Sequence, residues 1–557
     1  MTGPLGWLDR PDERRGIRFA EPDGSWRLWS YAELADLVRR YAGALRDAGV
    51  GAGDVVSIVE TTGPRFVGLL FGTMLAGGAA SPVAPPPPFG DRARWAEHLR
   101  GVLRASTPRL VVHDPALSLV AEVCAEAGVP AYDGERLLAC AAAAVGPPPP
   151  PGPDGLALVQ FTSGSSGRVR GVRVPHAALA ATVAGIQRWL RMTPDDPTAS
   201  WLPVHHDMGL VGCLLAPVAT GSDLWLMSPG DFVRRPLRYL ECFGRRGARL
   251  TAMPAFGLDH IVRRVPPEAL TGLDFSAWRA VIVGAERIRP ALLAEFARFT
   301  APHGLRREAL LPAYGLAEAT LSVTGLPLDT GWRTATVEQA EVVGCGRPLA
   351  GAQVTVVDDD CRAVPDGTVG EIVVRGPSVA AGYLPAAGDD TASRTRIVDG
   401  EVRTGDAGFV ADGELFVLGR LGDGVKVRGR MLLAEDVEAA AVAACGAPVG
   451  RITALLGQVG DEPRVVLLLA RPEPGWLPAA CAAAEVVAEG VPVEPIVVPV
   501  GAVARTSSGK PRRRLMWQDY LAGRLGLGEP ATNGPATREP ATNGPATDGS
   551  AGVLATR

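Results

Sequence analysis

Lysine is nearly absent from this chain. Only Lys426 and Lys510 occur among 557 residues, although lysine and arginine together number 56. Positive charge is therefore supplied almost entirely as guanidinium, and lysine is expected where a compact charge on a flexible stem is needed. Both lysines lie in glycine-containing segments in the last quarter of the chain. Codon bias with two chance survivors is the alternative that this observation alone leaves open.

Charge and cysteine patterning argue against other classes of protein. A formal net charge of -4 gives no basic footprint for nucleic acid. The eight cysteines form no Cys-x-x-Cys pair and no secretory segment is recognisable, which predicts reduced thiols in a cytoplasmic protein. The uncharged run 66–84 imitates a membrane span, but Gly77-Gly78 and Ser81-Pro82 interrupt it. A buried helix followed by a buried strand is therefore favoured over a transmembrane helix.

The length of the chain predicts several subdomains rather than one core. Helical Ala/Leu-rich stretches alternate with short apolar runs such as 110–112 and 280–283, which predicts α/β layers on largely buried sheets. From about residue 354 the texture changes to short strands separated by Asp/Gly turns, at 354–357, 371–374 and 414–417.

The expected fold class is therefore α/β, with three regions. Residues 1–421 form a large multi-subdomain N-terminal domain, and residues 422–525 form a small mobile C-terminal α/β domain that begins at a hinge near Asp423. Residues 526–557 carry two copies of Glu-Pro-Ala-Thr-Asn-Gly-Pro-Ala-Thr and almost no large apolar side chain, so this tail is expected to be disordered.

A loop of hydroxyls and glycines follows the apolar run 156–159. It reads Phe161-Thr-Ser-Gly-Ser-Ser-Gly-Arg-Val-Arg-Gly-Val172, and such a loop can wrap phosphate oxygens with backbone N–H groups. It does not match Gly-x-x-x-x-Gly-Lys-[Ser/Thr], so the usual nucleotide-triphosphatase loop is not the explanation. A flexible Ser/Gly-rich linker is the alternative interpretation.

This loop resembles the phosphate-binding signature of the adenylate-forming superfamily, which joins acyl-CoA synthetases, fatty acyl-AMP ligases and nonribosomal adenylation domains. Six further segments resemble motifs of that family in the expected order: Trp201–Leu210, Val283–Arg289, Ala313–Thr320, Thr404–Gly408, Gly419–Gly429 and Thr506–Lys510. Each segment alone is a weak signal, but seven in order are highly specific. Both lysines lie in the last two segments, which argues against chance survival.

The resemblance implies a nucleotide site for ATP and AMP. The residues it assigns to that site are Thr162, Ser163, Gly164, Ser165, Ser166, Gly167, Gly284, Ala285, Glu286, Ala313, Tyr314, Gly315, Leu316, Ala317, Asp406, Arg420 and Lys426. Asp406 can accept both ribose hydroxyls while Arg420 donates from the other side. Tyr314 offers a flat face for adenine. Lys426 is assigned a structural or second-step role near the hinge.

Lys510, Glu318 and His206 are the expected catalytic residues. One ammonium at Lys510 can hold a carboxylate against the α-phosphate and neutralise the developing charge. Glu318, with Thr162, is suited to hold Mg²⁺ bound to the phosphates of ATP. His206 is interpreted as a polar wall of the active site. A metal site in 205–207 is disfavoured, because adjacent residues of an extended segment point in opposite directions.

Two departures from the family pattern shape the expected function. Arg170 stands where a lysine is usual, which keeps the charge but loses a proline-fixed turn. The connection 326–342 lacks the additional segment with which fatty acyl-AMP ligases usually restrain the small domain. An unrestrained domain can rotate about Asp423 and admit a pantetheine thiol. The sequence therefore favours an acyl-CoA synthetase that uses MgATP, a carboxylic acid and CoA.

The acid is expected to be long or bulky and apolar, because the residues expected beside it, Met208, Gly209, Met227 and Ser228, are small or flexible. Three alternatives stay open. The enzyme mainly thioesterifies a supplied acyl-adenylate; it is a fatty acyl-AMP ligase that loads an acyl-carrier protein; or it is a catalytically silent nucleotide-binding protein. A serine hydrolase is disfavoured because no Gly-x-Ser-x-Gly elbow occurs.

Overall fold

The computed structural model describes residues 3–86, 92–139, 152–163, 169–337, 340–384, 394–427, 430–460, 462–506 and 509–525. Three groups of predictions lie outside the described residues. They are the phosphate-loop residues Gly164, Ser165, Ser166 and Gly167, the side chains of Ser163 and Lys426, and the tail 526–557.

The first sheet has six strands in the order β6-β5-β3-β4-β7-β8, parallel except for the last pair. Its strands are β3 (Val55–Val59), β4 (Ala79–Pro82), β5 (Leu110–His113), β6 (Ala131–Asp133), β7 (Leu156–Ser163) and β8 (Val169–Pro175). The middle strands β3, β4 and β5 are buried at every position, as expected for a parallel sheet covered on both faces.

The second sheet has nine strands in the order β17-β14-β13-β12-β11-β9-β10-β1-β2. They are β1 (Gly16–Ala20), β2 (Trp26–Ser30), β9 (Thr198–Ser200), β10 (Leu224–Leu226), β11 (Leu250–Met253), β12 (Ala280–Val283), β13 (Leu310–Gly315), β14 (Ser322–Gly325) and β17 (Arg347–Pro348). Because β12 and β13 run parallel with Val283 opposite Pro312, the segments after these two strands meet at one edge of the sheet.

The remaining strands form smaller sheets. A five-stranded antiparallel sheet contains β18 (Gln353–Val357), β19 (Gly370–Arg375), β20 (Arg396–Val398), β21 (Glu401–Ala411) and β22 (Glu414–Arg420), and β15 (Thr334–Val337) pairs with β16 (Ala340–Val343). Further along the chain are the hairpin β23 (Gly424–Val427) and β24 (Arg430–Leu433), and a sheet of β25 (Ile452–Val459), β26 (Glu462–Ala470) and β27 (Val493–Val498).

Helices cover the sheets. They are α1 (Tyr31–Asp47), α2 (Pro64–Leu75), α3 (Arg92–Ser106), α4 (Ser118–Glu126), α5 (Gly134–Ala139), α6 (His176–Trp189), α7 (Ala216–Thr220), α8 (Pro229–Arg234), α9 (Pro236–Gly244), α10 (Ala255–Arg264), α11 (Pro290–Thr300), α12 (Ala434–Cys445), α13 (Trp476–Ala488) and α14 (Arg513–Leu521). A π-helix, Met208–Leu215, precedes α7. Short 3-10 helices lie at Gly3–Asp9, Pro267–Leu270, Ala301–His303, Arg307–Ala309, Ala317–Ala319, Leu421–Asp423 and Val500–Ala502.

The α/β fold class expected from the sequence is confirmed. The uncharged run 66–84 forms most of α2 and then β4, with side chains buried at nearly every position, as predicted. Across the described ranges, no helix combines the length and the apolar character needed to cross a bilayer.

Two separate apolar cores of the described residues are formed only by side chains from Val425 onwards. The boundary between residues 421 and 422 stays a prediction.

Candidate active site

A cavity of about 480 Å³ opens where β12 and β13 end, between the second sheet, strand β7, the five-stranded sheet and the C-terminal residues. Sixteen residues named from the sequence line it: Thr162, His206, Met208, Gly284, Ala285, Glu286, Ala313, Tyr314, Gly315, Leu316, Ala317, Glu318, Asp406, Arg420, Asp423 and Lys510. Segments far apart in the chain therefore converge on one space. The role of each residue there stays a prediction.

Three of the four residues expected beside the acid are not among the described residues that line this cavity. Gly209 is buried with its Cα against the carbonyl of Pro203, where a Cβ would lie 2.3 Å from the oxygen. Met227 is buried in the second core, and Ser228 begins α8 by accepting a hydrogen bond from the Asp231 amide. Only Met208 supports the expected acyl wall.

Asp406 is held by two donors from different strands. Its Oδ1 lies 2.8 Å from Nε of Arg420, which faces it across the β21–β22 pair. Its Oδ2 accepts the phenolic hydroxyl of Tyr314 at 2.6 Å. The negative charge of Asp406 raises the pKa of Arg420, although desolvation opposes this. The carboxylate is thus fixed in orientation while its remaining lone pairs stay available to vicinal hydroxyls.

Thr395 connects the ribose segment with the phosphate-loop strand. Its hydroxyl accepts a hydrogen bond from Arg420 at 3.1 Å and donates to the carbonyl of Thr404 at 2.9 Å. Its carbonyl accepts a hydrogen bond from Arg170 at 3.1 Å. No sequence pattern singled out Thr395, because it lies outside the motif segments.

Glu318 lies on the 3-10 turn after β13 and is oriented by Tyr383. The Tyr383 hydroxyl donates to Oε1 of Glu318 at 2.8 Å, and the Arg170 guanidinium lies 3.5 Å from the centre of the Tyr383 ring. Burial first, and then the adjacent Glu318 charge, raise the pKa of Tyr383, so the hydroxyl stays a donor. Arg170, which was noted as a departure from the family pattern, therefore packs against the residue that holds Glu318.

His206 and Asp207 form a close pair. Nδ1 of His206 lies 2.5 Å from Oδ1 of Asp207, which also accepts the Met208 amide at 2.8 Å. Burial acts to raise the pKa of Asp207, but His206 and the charge of Lys510 outweigh it, and the pKa is lowered. The pair fixes the ring of His206 at the cavity wall.

The extended conformation expected for 205–207 is wrong. The His206 amide donates to the carbonyl of Pro203, so the segment turns just before the π-helix, and both His205 and His206 line the cavity. Burial first, and then the neighbouring His206, lower the pKa of His205 to about 3. The described residues hold no cluster of three or more His, Cys, Asp or Glu side chains suited to a metal ion.

Lys510 reaches into the same cavity from a loop closed on itself. The Lys510 amide donates to the hydroxyl of Thr506 at 3.1 Å, and the Thr506 amide donates to the Lys510 carbonyl at 2.8 Å. Desolvation and then the charge of Arg420 lower the pKa of Lys510, while Asp207 and Asp406 partly oppose them. The ammonium therefore lies among the residues predicted to bind ribose and acid.

Arg513, three residues after Lys510, anchors this loop to the segment predicted as the hinge. Its Nη1 contacts Asp423 at 3.1 Å and Glu435 at 3.0 Å, and its Nη2 contacts Glu438 at 2.9 Å. Burial raises the pKa of Glu435 to about 7 although Arg513 opposes it. An ion pair of Arg287 with Asp436 joins α12 to the segment after β12.

Comparisons with known proteins agree with this architecture. The sequence matches the AMP-binding enzyme family over residues 8–384. A putative acyl-CoA synthetase of Caulobacter vibrioides is 33% identical over 524 residues, covering 89% of this chain and 91% of that protein. The medium-chain-fatty-acid--[acyl-carrier-protein] ligase JamA of Moorena producens is 32% identical over 442 residues, covering 73% of this chain and 74% of that protein.

Two further comparisons cover nearly the whole chain. The long-chain-fatty-acid--AMP ligase FadD32 of Mycolicibacterium smegmatis is 30% identical over 613 aligned residues, covering 95% of each protein. A solved structure from a study of fatty acyl-adenylate ligases of E. coli and L. pneumophila superposes with a TM-score of 0.86 at 28% identity, covering 94% of this chain and 98% of that chain.

Proposed function

Because this chain belongs to the AMP-binding enzymes of the adenylate-forming superfamily, we propose that it is an AMP-forming acid–thiol ligase, an acyl-CoA synthetase for an apolar carboxylic acid. The observation that carries the proposal is the convergence of Lys510, Asp406 and Glu318 on one cavity. Part of the wall of that cavity is apolar, with Ile186 and Leu190 among its residues, which suits an acyl group.

The first half-reaction joins the acid to AMP. A carboxylate oxygen forms a bond to the α-phosphorus of ATP, and the bond from that phosphorus to the pyrophosphate oxygen breaks. Asp406 and Tyr314 hold the nucleoside, since Asp406 accepts ribose hydroxyls beside the tyrosine ring. The ammonium of Lys510 would contact both the acid and the α-phosphate and lower the barrier by neutralising charge.

Magnesium is implied by the family, and the residues present fit it. Oε1 of Glu318 accepts the hydrogen bond from Tyr383, which leaves Oε2 as a hard oxygen ligand. Thr162, whose hydroxyl is a second oxygen ligand, lines the same cavity. Glu318 and Thr162 would hold the ion together with phosphate oxygens, and the ion would neutralise the phosphate charge. Tyr383 positions the carboxylate for this purpose.

The second half-reaction transfers the acyl group to CoA. The thiol sulfur bonds to the carbonyl carbon, the bond to the AMP phosphate oxygen breaks, and the thiol proton leaves to solvent or base. A thiol needs a path to this carbon, and rotation of the C-terminal residues about Asp423 would open one by withdrawing Lys510. The Arg513 contacts with Asp423 and Glu435 would carry the loop along with such a rotation.

The short connection 326–342 supports free rotation. Its described part has a turn at 328–330, followed by β15 and most of β16, which pair antiparallel. The shortness of this connection favours CoA over an acyl-AMP ligase that restrains its small domain.

Transfer to an acyl-carrier protein is the second candidate, favoured by the similarity to JamA, whose name gives that acceptor.

The decisive experiment supplies purified protein with ATP, a panel of carboxylic acids and either CoA or a phosphopantetheinylated carrier protein. Acid-dependent ATP–pyrophosphate exchange with CoA consumption is expected. Exchange with loading of the carrier protein alone favours the second candidate, and thioester formation only from supplied acyl-adenylate points to the half-reaction enzyme. Nucleotide binding without either reaction would contradict every catalytic version.

A further inference from the structure

Trp189 stands in the apolar part of the cavity wall. It is the last residue of α6 and the only tryptophan among the described residues that line the cavity. Four apolar residues that also line the cavity belong to or pack against the same hydrophobic core as Trp189: Ile186, Leu190, Met208 and Leu321. The Trp189 indole is half-buried, so part of its surface faces the open space.

The indole is fixed by two contacts, with the last residue of β14 and with the residue after it. Nε1 of Trp189 donates to the carbonyl of Leu326 at 2.7 Å. The ring also lies directly against the backbone of Gly325, where an added Cβ would stand 2.2 Å from Cζ2 and 2.4 Å from Cε2 of the indole. Any larger residue at 325 must displace the ring, because this distance is far below a carbon–carbon contact.

These contacts fix the indole relative to the nucleotide strand. Gly325 faces Ala313 in the β13–β14 pair, and the Leu326 amide donates to the carbonyl of Pro312. Strand β13 continues directly into Tyr314, whose hydroxyl binds Asp406. The separation between the indole and the predicted ribose site is therefore set by one strand rather than by a flexible loop.

The end of α6 is also held from the opposite side. The Arg279 guanidinium donates to the carbonyl of Leu190, and its Nη1 pairs with Asp196 at 3.1 Å. Gly212 of the π-helix packs close to Leu321, where an added Cβ would lie 3.1 Å from Cδ2. The wall around the indole is therefore tightly packed, and an acyl chain cannot push the ring aside without breaking these contacts.

We propose that Trp189, seated on Gly325, closes the acyl part of the cavity and sets the maximum chain length of the acid. This inference rests on the proposed function, because it assigns the apolar wall to the acyl group. The substrate class is then an apolar acid of restricted length, which narrows the long or bulky acid expected from the sequence. Each methylene that fits in the cavity raises the affinity of the protein for the acid about fourfold. A methylene that meets the indole adds no such increase.

The test measures acid-dependent pyrophosphate exchange against a series of straight-chain acids for the unchanged protein and for Trp189→Ala, Trp189→Phe and Gly325→Ala. Trp189→Ala should move the optimum to acids longer by two or more carbons, and Trp189→Phe by less. Gly325→Ala, which pushes the indole into the cavity, should move it to shorter acids. Trp332→Ala, a tryptophan not among the described lining residues, is the matched control and should leave the optimum in place.

Binding supplies a second readout that needs no turnover. Acyl-sulfamoyl-adenosines of graded chain length should raise the melting temperature of the unchanged protein only up to a limiting chain length. Analogues longer than this limit should still raise the melting temperature of Trp189→Ala. If folded Trp189→Ala or Trp189→Phe keeps the same chain-length limit, the inference is overturned. The proposed function is nevertheless upheld if the unchanged protein catalyses acid-dependent exchange. Absence of exchange with every acid contradicts the proposed function, and the length dependence of analogue binding still decides the role of Trp189.

Discussion

Tyr314 donates its hydroxyl to Asp406 across 2.6 Å, joining the end of β13 to β21, 92 positions further along the chain. The bond orients the carboxylate that is predicted to accept the vicinal hydroxyls of ribose. Burial first, and then the charge of Asp406, raise the pKa of Tyr314, so the phenol keeps its proton and its donor role.

Tyr314→Phe should therefore raise the KM for ATP about tenfold with a smaller change in kcat, because one hydrogen bond to a charged group is lost. Steady-state exchange kinetics with varied ATP measure the changes in KM and in kcat separately. Tyr132→Phe, at a tyrosine not among the described lining residues, should leave both constants unchanged. An unaltered KM for ATP in Tyr314→Phe would show that Asp406 needs no such support.

Lys510→Ala should abolish ATP–pyrophosphate exchange while largely sparing thioester formation from preformed acyl-adenylate. The ammonium is needed when charge builds up at the α-phosphate, and the second half-reaction no longer forms that bond. Both half-reactions are measured separately, with Lys426→Ala as the companion variant at the other lysine. Equal loss of both half-reactions in Lys510→Ala would refute this division of labour.

Tyr383→Phe should raise the Mg²⁺ concentration needed for half-maximal exchange by about three- to tenfold. Without the phenolic hydroxyl, Glu318 loses the hydrogen bond that fixes Oε1, and the free energy of one such bond corresponds to this range. A Mg²⁺ titration at saturating ATP measures the change. Arg170→Lys, which removes the planar group stacked on the ring, should give a shift in the same direction. Magnesium dependence unaffected by both substitutions would contradict a positioning role for Tyr383.

Glu60 should make the protein less stable as the pH rises. Burial raises the pKa of this carboxyl to about 7 from 4.5, although Arg65 opposes the shift, and Asp114 and Glu135 add further negative charge nearby. The folded state therefore binds the proton more tightly than the unfolded state does. Its contribution to stability is complete below about pH 4.5 and is lost as the pH rises through about 7.

Melting temperatures measured across that interval should fall less steeply in Glu60→Gln than in the unchanged protein, because glutamine carries no titrating proton. Glu135→Gln, which alters an exposed partner of the same Arg65, is the matched control. Identical slopes in the Glu60→Gln and unchanged proteins would rule out this carboxyl as the source.

The sequence predicted much of the cavity lining through its resemblance to the family motifs, and two of those motifs come at the ends of neighbouring parallel strands. The runs ending at Val283 and Pro312 are apolar, and parallel strands bring the residues after them to one edge of the sheet, so Gly284 and Tyr314 meet. Met227, which the sequence led us to expect beside the acid, is not among the described lining residues. It comes after β10, which is separated from β12 by β9 and β11, and sequence gives no strand order.

The partners of the site residues could not be predicted. Tyr383 and Thr395 carry no motif of their own, and their contacts with Glu318 and Arg420 depend on how separate sheets pack together. The π-helix after Asp207 was equally hidden, because an almost wholly apolar run has no periodicity that distinguishes an α-helix from a wider helix.

The scarcity of lysine allows the lysines of this chain to be labelled selectively. An amine-acylating reagent meets only two ε-amino groups, and Lys510 lines the candidate nucleotide cavity. Its labelling, located by peptide mass spectrometry, should decrease when a nucleotide fills the cavity and recover when the loop withdraws. Labelling of the same protein without nucleotide serves as the reference, so occupancy can be followed in protein that carries no engineered probe.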